Sequence, residues 1–170
     1  MQTYIGESDL LSMVISENID LPEYQGTPED IATLKIKKAF KILKRPVLCE
    51  DTSLAFHALG GMPGPYVKWF LDKIGPAGLF KLLEGFESKK ATASTIFAFY
   101  DGNDIRLFRG DVEGEIVQPR GSSSFGWDPC FRPLCSDKTY GEMTVLEKQA
   151  VSHRSAAFNK LKPFLNDLLL

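Results

Sequence analysis

Residues 91–109 constrain the fold of this chain more than any other stretch. Ala91–Tyr100 reads ATASTIFAFY, rich in β-branched and aromatic residues; Asp101-Gly102-Asn103 follows, and Ile105–Arg109 leads the chain back. Side chains of that kind suit a pleated surface, and Asp, Gly and Asn suit a tight reversal, so the segment is expected to form a β-hairpin. Gly114–Val117 can extend the same sheet.

Helices are signalled on both sides of the hairpin. Thr27-Pro28-Glu29-Asp30 has a capping residue, a proline suited to the first helical position and two acids at the positive end of the dipole. A helix is expected from there to about Leu43, with Ile31, Leu34, Ala39, Ile42 and Leu43 on its apolar side. Before it, Met13–Leu21 reads as a strand leading into the turn Pro22–Gly26. After it, Val47-Leu48-Cys49 reads as a short buried strand ending at Glu50-Asp51. The turn-rich Gly60–Pro65 leads into Tyr66–Ile74, and a short helix is expected at Leu79–Leu83. Thr144 and Glu147 form a capping box, and Ser152 can cap a last helix to about Leu168. This order of elements indicates an α/β fold with a mixed, partly antiparallel sheet in a single domain spanning 1–170.

The bulk numbers narrow the function. Twenty Lys plus Arg are matched by twenty-two Asp plus Glu, which excludes the broad basic field of a nucleic-acid binder and leaves a small, locally held anion as the charged partner. Nothing approaches the roughly 20 apolar residues that span a membrane. Three cysteines, Cys49, Cys130 and Cys135, are an odd number in apolar surroundings, so a reducing, cytoplasmic location is expected.

Two carboxylates stand out as ligands for a hard divalent cation: Glu23 in a polar turn and Asp51 after a buried strand. The plainer alternatives are a solvated Glu23 and an Asp51 that caps the next turn. Lys35, Lys68 and Lys148 can each offer a point charge to a phosphate, although Lys35 stands in a run with Lys37 and Lys38 that also suits a wet helix face. Phe125-Gly126-Trp127-Asp128, after the Gly121–Ser124 loop, suits a base and ribose pocket or an aromatic anchor pinning the loop to the core. Ser152-His153-Arg154 opens a helix, where Arg154 can donate to a purine carbonyl, and two histidines, His57 and His153, are too few for a histidine-rich metal site. Motifs of serine hydrolases, P-loops and Rossmann folds are absent.

Taken in order, IDLPEYQGTPEDI, VLCEDTSLAFHALGGMPGPYVKWF, LFRG, FGWDPCF, YGEM and EKQAVSHR resemble the inosine triphosphate pyrophosphatase (Ham1-like) family from about Ile19 to the C-terminus. The resemblance implies an elongated mixed sheet flanked by helices, two lobes around a nucleotide cleft and a homodimer. It also implies hydrolysis of ITP, dITP and XTP to the monophosphate and pyrophosphate, with magnesium as cofactor and manganese as a substitute. By the same resemblance Glu23 and Asp51 would hold the metal, Asp51 would aid the attacking water and Thr52 would lie beside the phosphates. Lys35, Lys68 and Lys148 would contact the nucleotide, and Phe125, Gly126, Trp127 and Asp128 would form the base and ribose pocket. His153 and Arg154 would favour a 6-keto purine over adenine.

The chain departs from the family at its start. Where the family has Thr/Ser-Gly-Asn-x-x-Lys, this sequence offers Ile5-Gly6-Glu7-Ser8-Asp9-Leu10, with Glu7 and Asp9 in place of the Asn and Lys. Carboxylates there repel a triphosphate. A divergent enzyme with fewer phosphate contacts, a catalytically weak nucleotide-binding protein and a shortened start each fit that departure.

Overall fold

The structure, a computed structural model, describes residues 15–122 and 126–169. Helix α1, Pro28–Leu43, starts where its caps dictate. The Thr27 hydroxyl accepts from the Asp30 N–H at 3.2 Å, and Asp30 accepts in return from the Thr27 N–H at 3.3 Å. The helix ends at Lys44, left-handed at φ 55°. Its buried stripe is Ile31, Ala32, Ile36 and Ala39, while Leu34 and Ile42 are exposed, so the apolar face is rotated from the one expected.

Strand β1, Val47–Phe56, is much longer than its apolar opening suggested. It pairs along its whole length with β3, Lys90–Tyr100, from Val47 opposite Tyr100 to Phe56 opposite Ala91. Asp51 therefore lies in mid-strand rather than at a strand end. The expected hairpin forms: β3 returns as β4, Ile105–Ile116, which also takes in the expected extension at Gly114. Asp101 Oδ1 builds the turn by accepting from the Asn103 and Asp104 N–H groups at 2.8 and 3.1 Å.

Short strands β2, Pro63–Gly64, and β5, Phe131–Pro133, complete a sheet of order β2-β1-β3-β4-β5. Every pairing among the described residues is antiparallel, so the mixed pairing expected of the sheet is not found there. One reason is that residues 15–21, assigned to a strand with Met13 and Val14, run without regular structure; Met13 and Val14 themselves lie outside the described residues. Ile19 and Leu21 pack instead beside the α1 core.

Side-chain alternation gives the sheet two unlike faces. Val47, Ile96 and Ala98 meet α1 on one face. Leu48, Phe97 and Phe108 meet the last helix, α4, His153–Leu169, on the other. The far end of that second face carries Leu54, Phe56, Ala91 and Ala93 under helix α2, Val67–Lys81, and the turn Asp128–Cys130. Gly75, at φ 63° and ψ −178°, breaks α2, and the stretch after it takes in Leu79–Lys81 of the short helix expected at Leu79–Leu83. A short helix α3, Val145–Val151, opens with the expected Thr144–Glu147 capping box. Ser152 then caps α4, its hydroxyl accepting from the Ser155 N–H at 3.1 Å.

Candidate active site

A cleft of about 390 Å³ opens between the start of α1 and the start of α2, walled by Glu23, Tyr24, Lys35, Pro65, Tyr66 and Trp69. Lys35 stands two turns into α1, which aims its side chain at the middle of β1. Its Nζ lies 2.7 Å from Asp51 Oδ1 and 3.6 Å from Glu23 Oε2. Lys68, in the first turn of α2, reaches Glu23 Oε1 at 3.8 Å across the cleft. The structure thus brings together four of the expected site residues, Glu23, Lys35, Asp51 and Lys68.

The charges there are unevenly satisfied. Asp51 is only 15% exposed, and burial pushes its carboxyl above the ordinary 3.8, with Glu23 adding to the rise and Lys35 opposing it. Burial pulls Lys35 down, but Asp51 and Glu23 together outweigh it and hold the ammonium above its usual range. Lys35 is shared between the two carboxylates and Lys68 meets only Glu23, so the buried Asp51 has one ammonium partner, which it shares.

That imbalance, with a donor set made only of oxygens, fits a hard divalent cation held by Glu23 and Asp51. No group of three or more His, Cys, Asp or Glu able to hold a metal exists among the described residues. Two carboxylates with substrate phosphates and water are a usual shell for magnesium.

The second set of expected residues gathers where α4 begins. His153 is 2% exposed, and burial, followed by the Lys148 and Arg154 charges, lowers its pKa to about 3, so it is neutral at pH 7. Its ring lies 5.3 Å from Trp127 and 5.8 Å from Tyr140. Its Nδ1 is buried with no hydrogen-bond partner among the described residues. Lys148 pairs with the buried Asp128 and stands 5.2 Å over the Tyr140 ring. Arg154 Nε donates to Glu50 Oε1 at 2.5 Å.

Trp127 is 2% exposed and belongs to the core with Phe131 and Tyr140, so it anchors its loop as well as facing His153. At Gly126 a Cβ would meet Leu71 Cδ2 of α2 at 2.3 Å. Phe125 lies outside the described residues, as does the Ile5–Leu10 segment. Thr52 faces α4's side of the sheet, 3.3 Å from Thr95 Oγ1, and is not joined to the Lys35 cluster.

Sequence reasoning missed Glu50, Tyr66 and Tyr140. Glu50 was legible in principle: once β1 is extended through Asp51, alternation alone sends the two acids to opposite faces. Tyr66 and Tyr140 act through contacts distant in sequence, for which a single chain gives no local signal.

Solved structures of other proteins share this fold. Three solved structures match at similar levels. The Staphylococcus aureus Ham1 protein is 29% identical with a TM-score of 0.76, over 88% of this chain and 82% of that one. A Coxiella burnetii HAM1 protein is 28% identical with a TM-score of 0.80, over 88% and 81%. A nucleoside-triphosphatase, or dITP/XTP pyrophosphatase, from Mycobacterium abscessus is 29% identical with a TM-score of 0.71, over 89% and 82%. The model of the Ham1 family matches residues 2–164, nearly the whole sequence, and the chain belongs to the Ham1 family.

Proposed function

We propose that this protein is a hydrolase of the nucleoside triphosphate pyrophosphatase class, acting on non-canonical purine nucleotides such as ITP, dITP and XTP. The observation that carries this reading is the convergence of Glu23, Lys35 and Asp51 beside a cleft in a chain of the Ham1 family. The similar Mycobacterium abscessus protein bears the description dITP/XTP pyrophosphatase, which supports the substrate class.

In this reading the triphosphate enters along the Lys35 and Lys68 side of the cleft, where two ammonium groups offset its charge. Glu23 and Asp51 would hold magnesium, which when bound would supply positive charge against the negative charge of the phosphates. Asp51, raised by burial, is a stronger base than an exposed aspartate and takes a proton from the attacking water. Water adds across the α–β anhydride, and the monophosphate and pyrophosphate leave.

Base selection falls to the start of α4. Arg154 is a permanent donor, so a purine carrying a carbonyl at position 6 is accepted, whereas an amino group there sets donor against donor. Neutral His153 beside it brings a ring nitrogen without a further charge.

The test is turnover of ITP beside ATP with magnesium, comparing the protein with Asp51→Asn and resolving phosphate from pyrophosphate. Pyrophosphate from ITP, lost in the variant, is the expected result. Binding of ITP without turnover by the unmodified protein would instead establish the weak nucleotide-binding reading, which Glu7 and Asp9 favour.

A further inference from the structure

We propose that Tyr66 is a positioning residue that holds the Glu23 loop against the opposite wall of the cleft. The inference rests on the reading of Glu23 as a metal ligand. Residues 18–26 have no regular secondary structure, and the chain there lacks a ladder or helix to fix it. Among hydrogen bonds between described residues, this segment takes part in two, both with the Tyr66 hydroxyl. The Gly26 N–H donates to Tyr66 Oη at 3.0 Å, and the Tyr66 O–H points to the Gly26 carbonyl at 3.4 Å.

The anchor point is well chosen. Gly26, at φ 149°, sits three residues after Glu23 and next to Thr27, the cap of α1. Tyr66 is the residue from which α2 departs, two before Lys68. One phenol therefore ties the loop that carries a carboxylate to the helix that carries a cation. Without it, Glu23 keeps only half-exposed ion pairs at 3.6 and 3.8 Å, too loose to fix one rotamer. A ligand that must be ordered on binding holds its metal less tightly than one already placed.

The experiment is manganese binding, with free Mn²⁺ read by electron paramagnetic resonance, in the protein as it stands, Glu23→Gln, Tyr66→Phe and the double variant. Glu23→Gln is expected to weaken binding at least tenfold. Tyr66→Phe is expected to weaken it about threefold or more, within what one hydrogen bond carries, and to add nothing in the Glu23→Gln background. Amide exchange at Gly26 gives a readout that needs no variant: protection is expected, and exchange at the rate of an unbonded amide overturns the tie. Loss in Glu23→Gln with binding intact in Tyr66→Phe overturns the role of Tyr66 alone. Intact binding in Glu23→Gln overturns the metal reading of Glu23 and the proposal with it.

Discussion

Glu50 and Asp51 are neighbours in β1 and face opposite ways, Glu50 reaching Arg154 of α4 at 2.5 Å and Asp51 reaching Lys35 of α1 at 2.7 Å. The two halves of the candidate site thus hang from adjacent residues of one strand. Substitution should separate them. Asp51→Asn is expected to lower kcat by about a hundredfold or more, as loss of a general base does. Glu50→Gln leaves Arg154 without its carboxylate and should cost about 1 to 3 kcal/mol in nucleotide binding, with kcat changed far less. Steady-state kinetics with ITP reads both.

The pH profile follows from Asp51. Its carboxyl is raised mainly by burial, and the ionised form is the base, so kcat/KM should fall as pH falls through a value above 3.8. Lys35 opposes that rise, and its removal in Lys35→Met should move the acid limb to higher pH. An unmoved limb in Lys35→Met would show that another group titrates.

Stability has its own pH signature at His153. The unfolded chain takes up a proton there near pH 6.5, the folded chain only near about 3. Between those values the unfolded state binds more protons, so the fold loses stability as pH falls, by up to about 1.4 kcal/mol per pH unit. Urea unfolding across pH 7 to 4 should show this slope. His153→Phe, which keeps an aromatic ring between Trp127 and Tyr140, should flatten it.

At Gly110, β4 packs against the backbone of α4. A Cβ there would stand 2.1 Å from the Ala157 nitrogen and 2.4 Å from the His153 carbonyl oxygen, both main-chain atoms that cannot step aside. Gly110→Ala should therefore cost about 3 kcal/mol in urea unfolding. Because the displaced helix carries His153 and Arg154, the variant should also lose some preference for ITP over ATP.

Local signals carried the legible part of the fold. The cap at Thr27, the capping box at Thr144 and the turn at Asp101 each fix a boundary within a few residues, and each stands where expected. What misled was polarity inside β1. Glu50-Asp51-Thr52-Ser53 resembles the end of a strand, yet it is the middle of one, kept polar because ion pairs and hydroxyl contacts form there. Exposure of Leu34 and Ile42, and the irregular path of residues 15–21, are decided by which neighbours the tertiary fold supplies. Of the candidate site, the cluster of Glu23, Lys35, Asp51 and Lys68 was legible through family resemblance, whereas the contacts of Glu50, Tyr66 and Tyr140 depend on distances that spacing does not encode.

The unbroken pairing of β1 with β3 makes that strand a ruler. Each residue advances the chain by roughly 3.3 Å and turns its side chain over. Deleting one residue between Val47 and Glu50 would exchange the faces of everything beyond it, placing Asp51 toward Arg154 and Thr52 toward Lys35. A loop can change length without altering which way these side chains face, but the count of residues along this strand decides which one meets Lys35 and which meets Arg154.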